Sequence, residues 1–182
     1  YSQSIVQSKD LLKKLNSNPD SDPENILISY VTLSRNYAAL SQLNDEINVH
    51  QMAIELMHKY PNLNADIKAD FLASMAISQY RNGNQEKANG HFESAINLYK
   101  SLPSRQKSLA ETLRNYAATN VNYGDYAKAE SLFKQSVDII KQVDPRHPSL
   151  ASTYLRYASL LAKYKRLDQA QELLSSAVDI FI

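Results

Sequence analysis

The chain has 182 residues, 43% hydrophobic and 21% charged, with 20 Lys+Arg set against 19 Asp+Glu. This balance excludes a strongly basic nucleic-acid clamp and an acidic disordered tail, and the length is enough to bury a sizeable core. Cysteine is absent, which excludes disulfides, thiolate metal sites and cysteine nucleophiles and fits a reducing, cytoplasmic compartment.

Only three glycines and six prolines interrupt the chain, so helix is expected nearly throughout. The first element is a helix over 2–15, followed by a polar linker at 16–23. Its Ser, Gln and Lys residues break the apolar run that a targeting signal needs, and no later stretch is long enough to span a bilayer. Helix pairs are predicted at 24–42/46–60, 64–82/84–100, 104–123/125–142 and 148–164/167–182. In the third pair Leu113, Tyr116, Ala117 and Asn120 share one face, Gly124-Asp125 ends that helix and caps the next, and Ala129, Leu132, Phe133 and Val137 resume the period. The chain starts at Tyr1 without Met and stops inside an apolar pattern, Val178, Ile180, Phe181 and Ile182. A piece of a longer protein is expected, with self-association through an uncapped C-terminal helix.

The punctuation is periodic. Pro23, Pro61, Pro103 and Pro145 are 38, 42 and 42 residues apart, and Ala38, Ala76, Ala117 and Ala158 are 38, 41 and 41 apart. Arg35-Asn36-Tyr37-Ala38-Ala39 recurs as Arg114-Asn115-Tyr116-Ala117-Ala118, and loosely as Leu155-Arg156-Tyr157-Ala158-Ser159. A period near 40 residues indicates stacked helical hairpins. The predicted organisation is an all-α solenoid over 24–182, with units of about 24–60, 61–102, 103–144 and 145–182 wound as a right-handed superhelix behind the N-terminal helix.

Ala76, Gly83, Ala88, Phe92 and Ala95, with Ala117, Gly124, Ala129 and Phe133, resemble the small and aromatic positions of tetratricopeptide repeats. The resemblance covers about 24–182, and Asp144 to Ala151 is similar to the connection between the longer repeats of kinesin light chain type. Three positions depart from the pattern. Asp45 stands at the expected turn glycine of the first unit, His50 at an expected small alanine, and Lys165 at the turn glycine of the last. A shifted or loosely packed second helix is therefore expected in the first unit.

Signs of catalysis are missing: there is no phosphate-binding glycine loop, no nucleophile elbow and no zinc-protease motif. The reading is a non-enzyme without cofactor or metal. Glu46 and His50 have metal-ligand spacing on one helix face but lack a second pair, so an ion pair or a packed histidine is expected, and His147 before Pro148 is expected to cap a helix. Tyr37, Tyr116 and Tyr157 are repeat-equivalent and belong between helices.

In a solenoid the first helices line a concave face. Spacing puts Arg35, Asp70, Ile77, Tyr80, Arg81, Glu111, Arg114, Asn122, Leu155 and Lys163 there. Guanidinium and amide donors beside small and apolar residues suit a peptide, and the cations favour an acidic one. The resemblance implies the same role, since tetratricopeptide repeats commonly serve as protein-binding scaffolds. Two functions follow: an adaptor holding a partner's peptide in the groove, without nucleic acid or membrane insertion, or a structural or regulatory arm that packs on its own chain or self-associates.

Overall fold

A computed structural model of the chain describes residues 2–18 and 20–181. Pro19 of the expected linker and Ile182 of the expected last helix lie outside the described residues. Every described element is helical, and the elements fall into two compact units, Tyr1–Leu98 and Tyr99–Ile182.

The first unit holds α1 (Ser2–Ser17), α2 (Pro23–Ala39), α3 (Leu43–Lys59), α4 (Ala65–Arg81) and most of α5 (Gln85–Lys100). Here α1 packs on α2, α2 on α3 and α4, and α3 on α4. The Asn36 amide ties α2 to α1 by donating to Ser4 Oγ at 2.8 Å, while Leu27, Ala53, Phe71 and Met75 fill the centre. The second unit holds a short 3-10 turn, Pro103–Arg105, then α6 (Gln106–Tyr123), α7 (Tyr126–Val143), α8 (Pro148–Lys163) and α9 (Leu167–Asp179). There α6 packs on α7 and α8, α7 on α8, and α8 on α9. Tyr37, Tyr116 and Tyr157 are buried, and so are Ala117 and Ala158, as interhelical residues must be.

Helix starts follow from local chemistry. Asp22 accepts from the Glu24 amide at 3.0 Å with Pro23 in the first turn, and Asn64 and Asp125 cap α4 and α7. His147 caps α8, its Nδ1 accepting from the Ser149 amide at 3.2 Å. Helix ends share one device. Within two residues of the end of the first helix of each pair the chain takes a left-handed conformation: Ser41 (φ 56°), Gly83 (φ 76°), Gly124 (φ 83°) and Lys165 (φ 57°). In each case the next amide reaches back five residues, Gln42 to Tyr37 (2.9 Å), Asn84 to Gln79 (2.9 Å), Asp125 to Asn120 (3.0 Å) and Arg166 to Leu161 (3.1 Å). That is a Schellman closure, which satisfies the last carbonyls of the helix.

This turn corrects the register of the first unit. Its turn residue is Ser41 and not Asp45, which lies inside α3. Counting five residues on from the turn gives Glu46, Ala88, Ala129 and Ala170, and nine residues on gives His50, Phe92, Phe133 and Leu174. Glu46 therefore takes the small position and His50 the aromatic one. The expected loose packing is absent around these two side chains, because both are buried. His50 lies edge-on to Phe71 at 5.4 Å, yet neither of its ring nitrogens has a hydrogen-bond partner among the described residues. Burial, helped by the nearby His91, lowers its pKa from 6.5 to about 4. Burial raises the Glu46 pKa, against the pull of Ser78 and of Arg81, whose Nη1 is 3.7 Å away.

Three expected outcomes follow from the fold. Gly124→Ala should lower the unfolding free energy by about 1 kcal/mol, the cost of a side chain in a left-handed turn. Lys165→Gly should act with the opposite sign and more weakly, because glycine also loosens the unfolded chain; urea denaturation of both variants measures this. For His50, the unfolded imidazole binds a proton below 6.5 that the folded one refuses until about 4, so its contribution to stability falls as pH drops through that window. His50→Phe should gain about 1–2 kcal/mol at neutral pH by removing two unpaired buried nitrogens. The difference between wild type and variant should widen from pH 6.5 to 4; a constant difference would contradict the assignment.

Candidate interaction surfaces

The ten residues expected on the inner faces of the first helices divide between the two units. In the first, Arg35 on α2 is exposed and makes no ion pair among the described residues, while Asp70 and Tyr80 on α4 are half-buried and Ile77 is exposed. Arg81 reaches across to Glu46 of α3. It therefore neutralises a carboxylate inside the hairpin, which is the electrically quiet alternative to a charge offered to a ligand.

In the second unit Glu111, Asn122, Leu155 and Lys163 are exposed on α6 and α8. Arg114 is different: its side chain is only 13% exposed, and its Nη2 pairs with Glu111 at 3.3 Å on the same helix. Its Nε is buried without a hydrogen-bond partner. Burial lowers the guanidinium pKa, Glu111 opposes this, and Arg156 of α8 adds repulsion. Arg156 thus lies near enough to Arg114 to repel it, while Glu111 pairs with Arg114 alone. Arg156 was not among the expected residues, although its signal was present in the sequence. In the third form of the five-residue motif the arginine has moved one place, to Leu155-Arg156 in place of Arg114-Asn115.

Two open depressions of the surface lie elsewhere. One of about 570 Å³ is bordered by Gln51, Gln79, Lys87, Gly90 and His91 in the first unit, and another of about 370 Å³ by Lys141, Arg146, Tyr154 and Ile180 in the second. Glu46 and His50 have no third ligand, and among the described residues no group of three or more His, Cys, Asp or Glu could hold a metal ion. None of the described helices is long and apolar enough to cross a membrane.

Residues 108–182 match the family model described as tetratricopeptide repeat. No curated protein sequence matches the chain. Among solved structures, BtubC (BKLC) from P. vanneervenii is 15% identical, with 98% of this chain and 72% of that one covered at a TM-score of 0.89. The nearly identical TPR-like repeats of kinesin light chain description from Podosopora anserina are 21% identical, with coverage of 98% and 85% and a TM-score of 0.79. A signal transduction ATPase with numerous domains and a tetratricopeptide repeat sensor, from Pyrococcus horikoshii, is 16% identical, with 97% of this chain and 27% of that one covered at a TM-score of 0.82. At such identities the likeness is one of fold. Residues 108–182 thus match the tetratricopeptide repeat family in sequence, and nearly the whole chain has the fold of TPR-like repeats.

Proposed function

We propose that the chain is a non-catalytic adaptor that holds a carboxylate-bearing peptide segment of a partner protein, and that the α6–α8 surface of the second unit is where it is held. A protein-interaction scaffold is the general role of the fold; the ligand class is our inference. The observation that carries it is the charge imbalance at Arg114. Arg114 pairs with the exposed Glu111 and is repelled by Arg156, and a further carboxylate would relieve that repulsion through charge-assisted hydrogen bonds. Leu155, half-exposed beside Arg156, supplies an apolar floor for a neighbouring side chain of the peptide. Arg35, Asp70, Ile77, Tyr80 and Arg81 of the first unit, and Asn122 and Lys163 of the second, are proposed as subsidiary contacts. A cytoplasmic setting fits the composition, which includes no cysteine.

Arg156 gives the cleaner test, since Arg114 is mostly buried and its replacement disturbs packing as well as charge. Fluorescein-labelled dodecapeptides rich in Asp and Glu should bind the protein, and matched peptides rich in Lys should not. Arg156→Glu should weaken acidic-peptide binding by about tenfold or more, the order expected for a lost charge-assisted contact, with an unchanged helical circular dichroism spectrum. Equal binding of both peptide classes, or acidic binding indifferent to Arg156→Glu, would overturn the reading.

A further inference from the structure

The two units differ at one repeat-equivalent place. Counted from the left-handed turns at Gly83 and Lys165, Gln79, Gly90 and His91 of the first unit correspond to Leu161, Glu172 and Leu173 of the second; counted from Ser41 and Gly124, Ile54 corresponds to Val137. In the second unit this place is apolar and filled, with Leu161 2% exposed and Leu173 packed against the cluster that holds Val137. In the first unit both leucines have become polar and one side chain is missing. An open hollow of about 570 Å³ lies there, walled by Gln51 and Ile54 of α3, Gln79 of α4, and Lys87, Gly90 and His91 of α5.

Each of these changes works against the fold. Glycine is a poor helix former, yet Gly90 stands inside α5, and a Cβ placed on it would meet nothing within 4 Å, so no close approach within the chain requires it. Gln79 is 8% exposed; its side-chain oxygen accepts from the Asn84 side-chain amide at 2.8 Å, which leaves its own NH2 without a partner among the described residues. His91 is half-buried and makes no hydrogen bond among the described residues. Burial and the neighbouring Lys87 both lower its pKa, which favours the neutral imidazole.

The free groups of the hollow are mostly donors: the NH2 of Gln79, the ammonium of Lys87, the imidazole N–H of His91 and the hydroxyl of Ser94. Lys87 makes no ion pair among the described residues, and Glu86 stands at the same rim. One cation beside one carboxylate suits a singly charged oxyanion, whereas Glu86 would repel a phosphate dianion with no second cation to hold it. Ile54 and the bare backbone at Gly90 give an apolar floor on which a small hydrocarbon body can lie. We propose that this hollow of the first unit is a binding site for a small organic acid, whose carboxylate is held by Lys87, Gln79 and His91 and whose apolar body lies on Ile54 and Gly90. The hollow shares no residue with the α6–α8 surface and does not rest on the peptide reading given above.

The probes are 4-phenylbutyrate and its neutral amide, 4-phenylbutyramide, each titrated into the isotope-labelled whole chain and followed by nuclear magnetic resonance. The acid should give saturable shifts concentrated on the amides of Gly90 and His91 and the methyl groups of Ile54. It should bind about tenfold more tightly than the amide, the order of a charge-assisted hydrogen bond. Lys87→Gln, at an exposed position, should erase that preference. Gly90→Leu should abolish binding of both probes and raise the melting temperature, because the new side chain fills the hollow and favours the helix. Absence of saturable binding by the acid, equal binding of acid and amide, or binding that survives Gly90→Leu would overturn the proposal. So would shifts that concentrate on α6 and α8, since the acid would then be held at the surface proposed for the peptide.

Discussion

The structure depends on one close approach, made five residues after each left-handed turn. There the second helix of a pair must bring a side chain small enough for the first helix to lie against it, and Ala88, Ala129 and Ala170 meet that need while fully or almost fully buried. The turn fixes where the second helix starts, so it also fixes which residue arrives at the contact. Twelve residues after the turn the same demand returns and is met by Ala53, Ala95, Ser136 and Ala177, all buried. Ser136 shows how near the helices are: its hydroxyl donates to the Ala110 carbonyl of the neighbouring helix at 2.7 Å. Aromatic and branched side chains then fill the space on either side of this seam.

Most of this was legible in the sequence because the constraint acts on residue types that are easy to see. Glycine at positions 83 and 124 adopts positive φ at little cost, and alanine or proline at fixed offsets from it repeats with the period of the hairpin. The first unit was misread for the same reason. Ser41 adopts the left-handed conformation without being glycine, so nothing marked the turn, and the register was carried four residues too far, to Asp45. Once the turn is placed, His50 falls at the phenylalanine position instead of the alanine position, and its edge-on contact with Phe71 becomes the counterpart of an aromatic packing site. Helix ends were predicted to within a few residues, and the early start of α3 at Leu43 is a direct result of the misplaced turn.

The surface was less legible than the core, because exposure and pairing depend on which neighbouring helix supplies the counter-charge. Spacing places Arg35, Arg81 and Arg114 on the same face of their helices, yet the three have different surroundings. Arg35 is exposed, Arg81 is engaged by a carboxylate that entered the core of its own hairpin, and Arg114 is largely buried beside a second arginine. Glu46 is the cause of the second case. A carboxylate in an alanine position needs a nearby donor, and Arg81 is turned toward it. A carboxylate in the seam of the first unit thus engages a surface cation, whereas Arg35 of the same unit stays exposed.

Repetition also shows where cohesion between hairpins rests on charge as well as on apolar packing. Between α7 and α8 the seam is held by stacked rings and by Glu130, whose pKa is lowered to about 2 by hydrogen bonds from Arg166 and Lys134, with Tyr157 adding to them. Arg166 and Tyr157 reach it from beyond α7, which makes Glu130 a polar clasp joining consecutive hairpins. At the next period the apolar residues are kept and the clasp is not, because Gln171 accepts a hydrogen bond without attracting a cation.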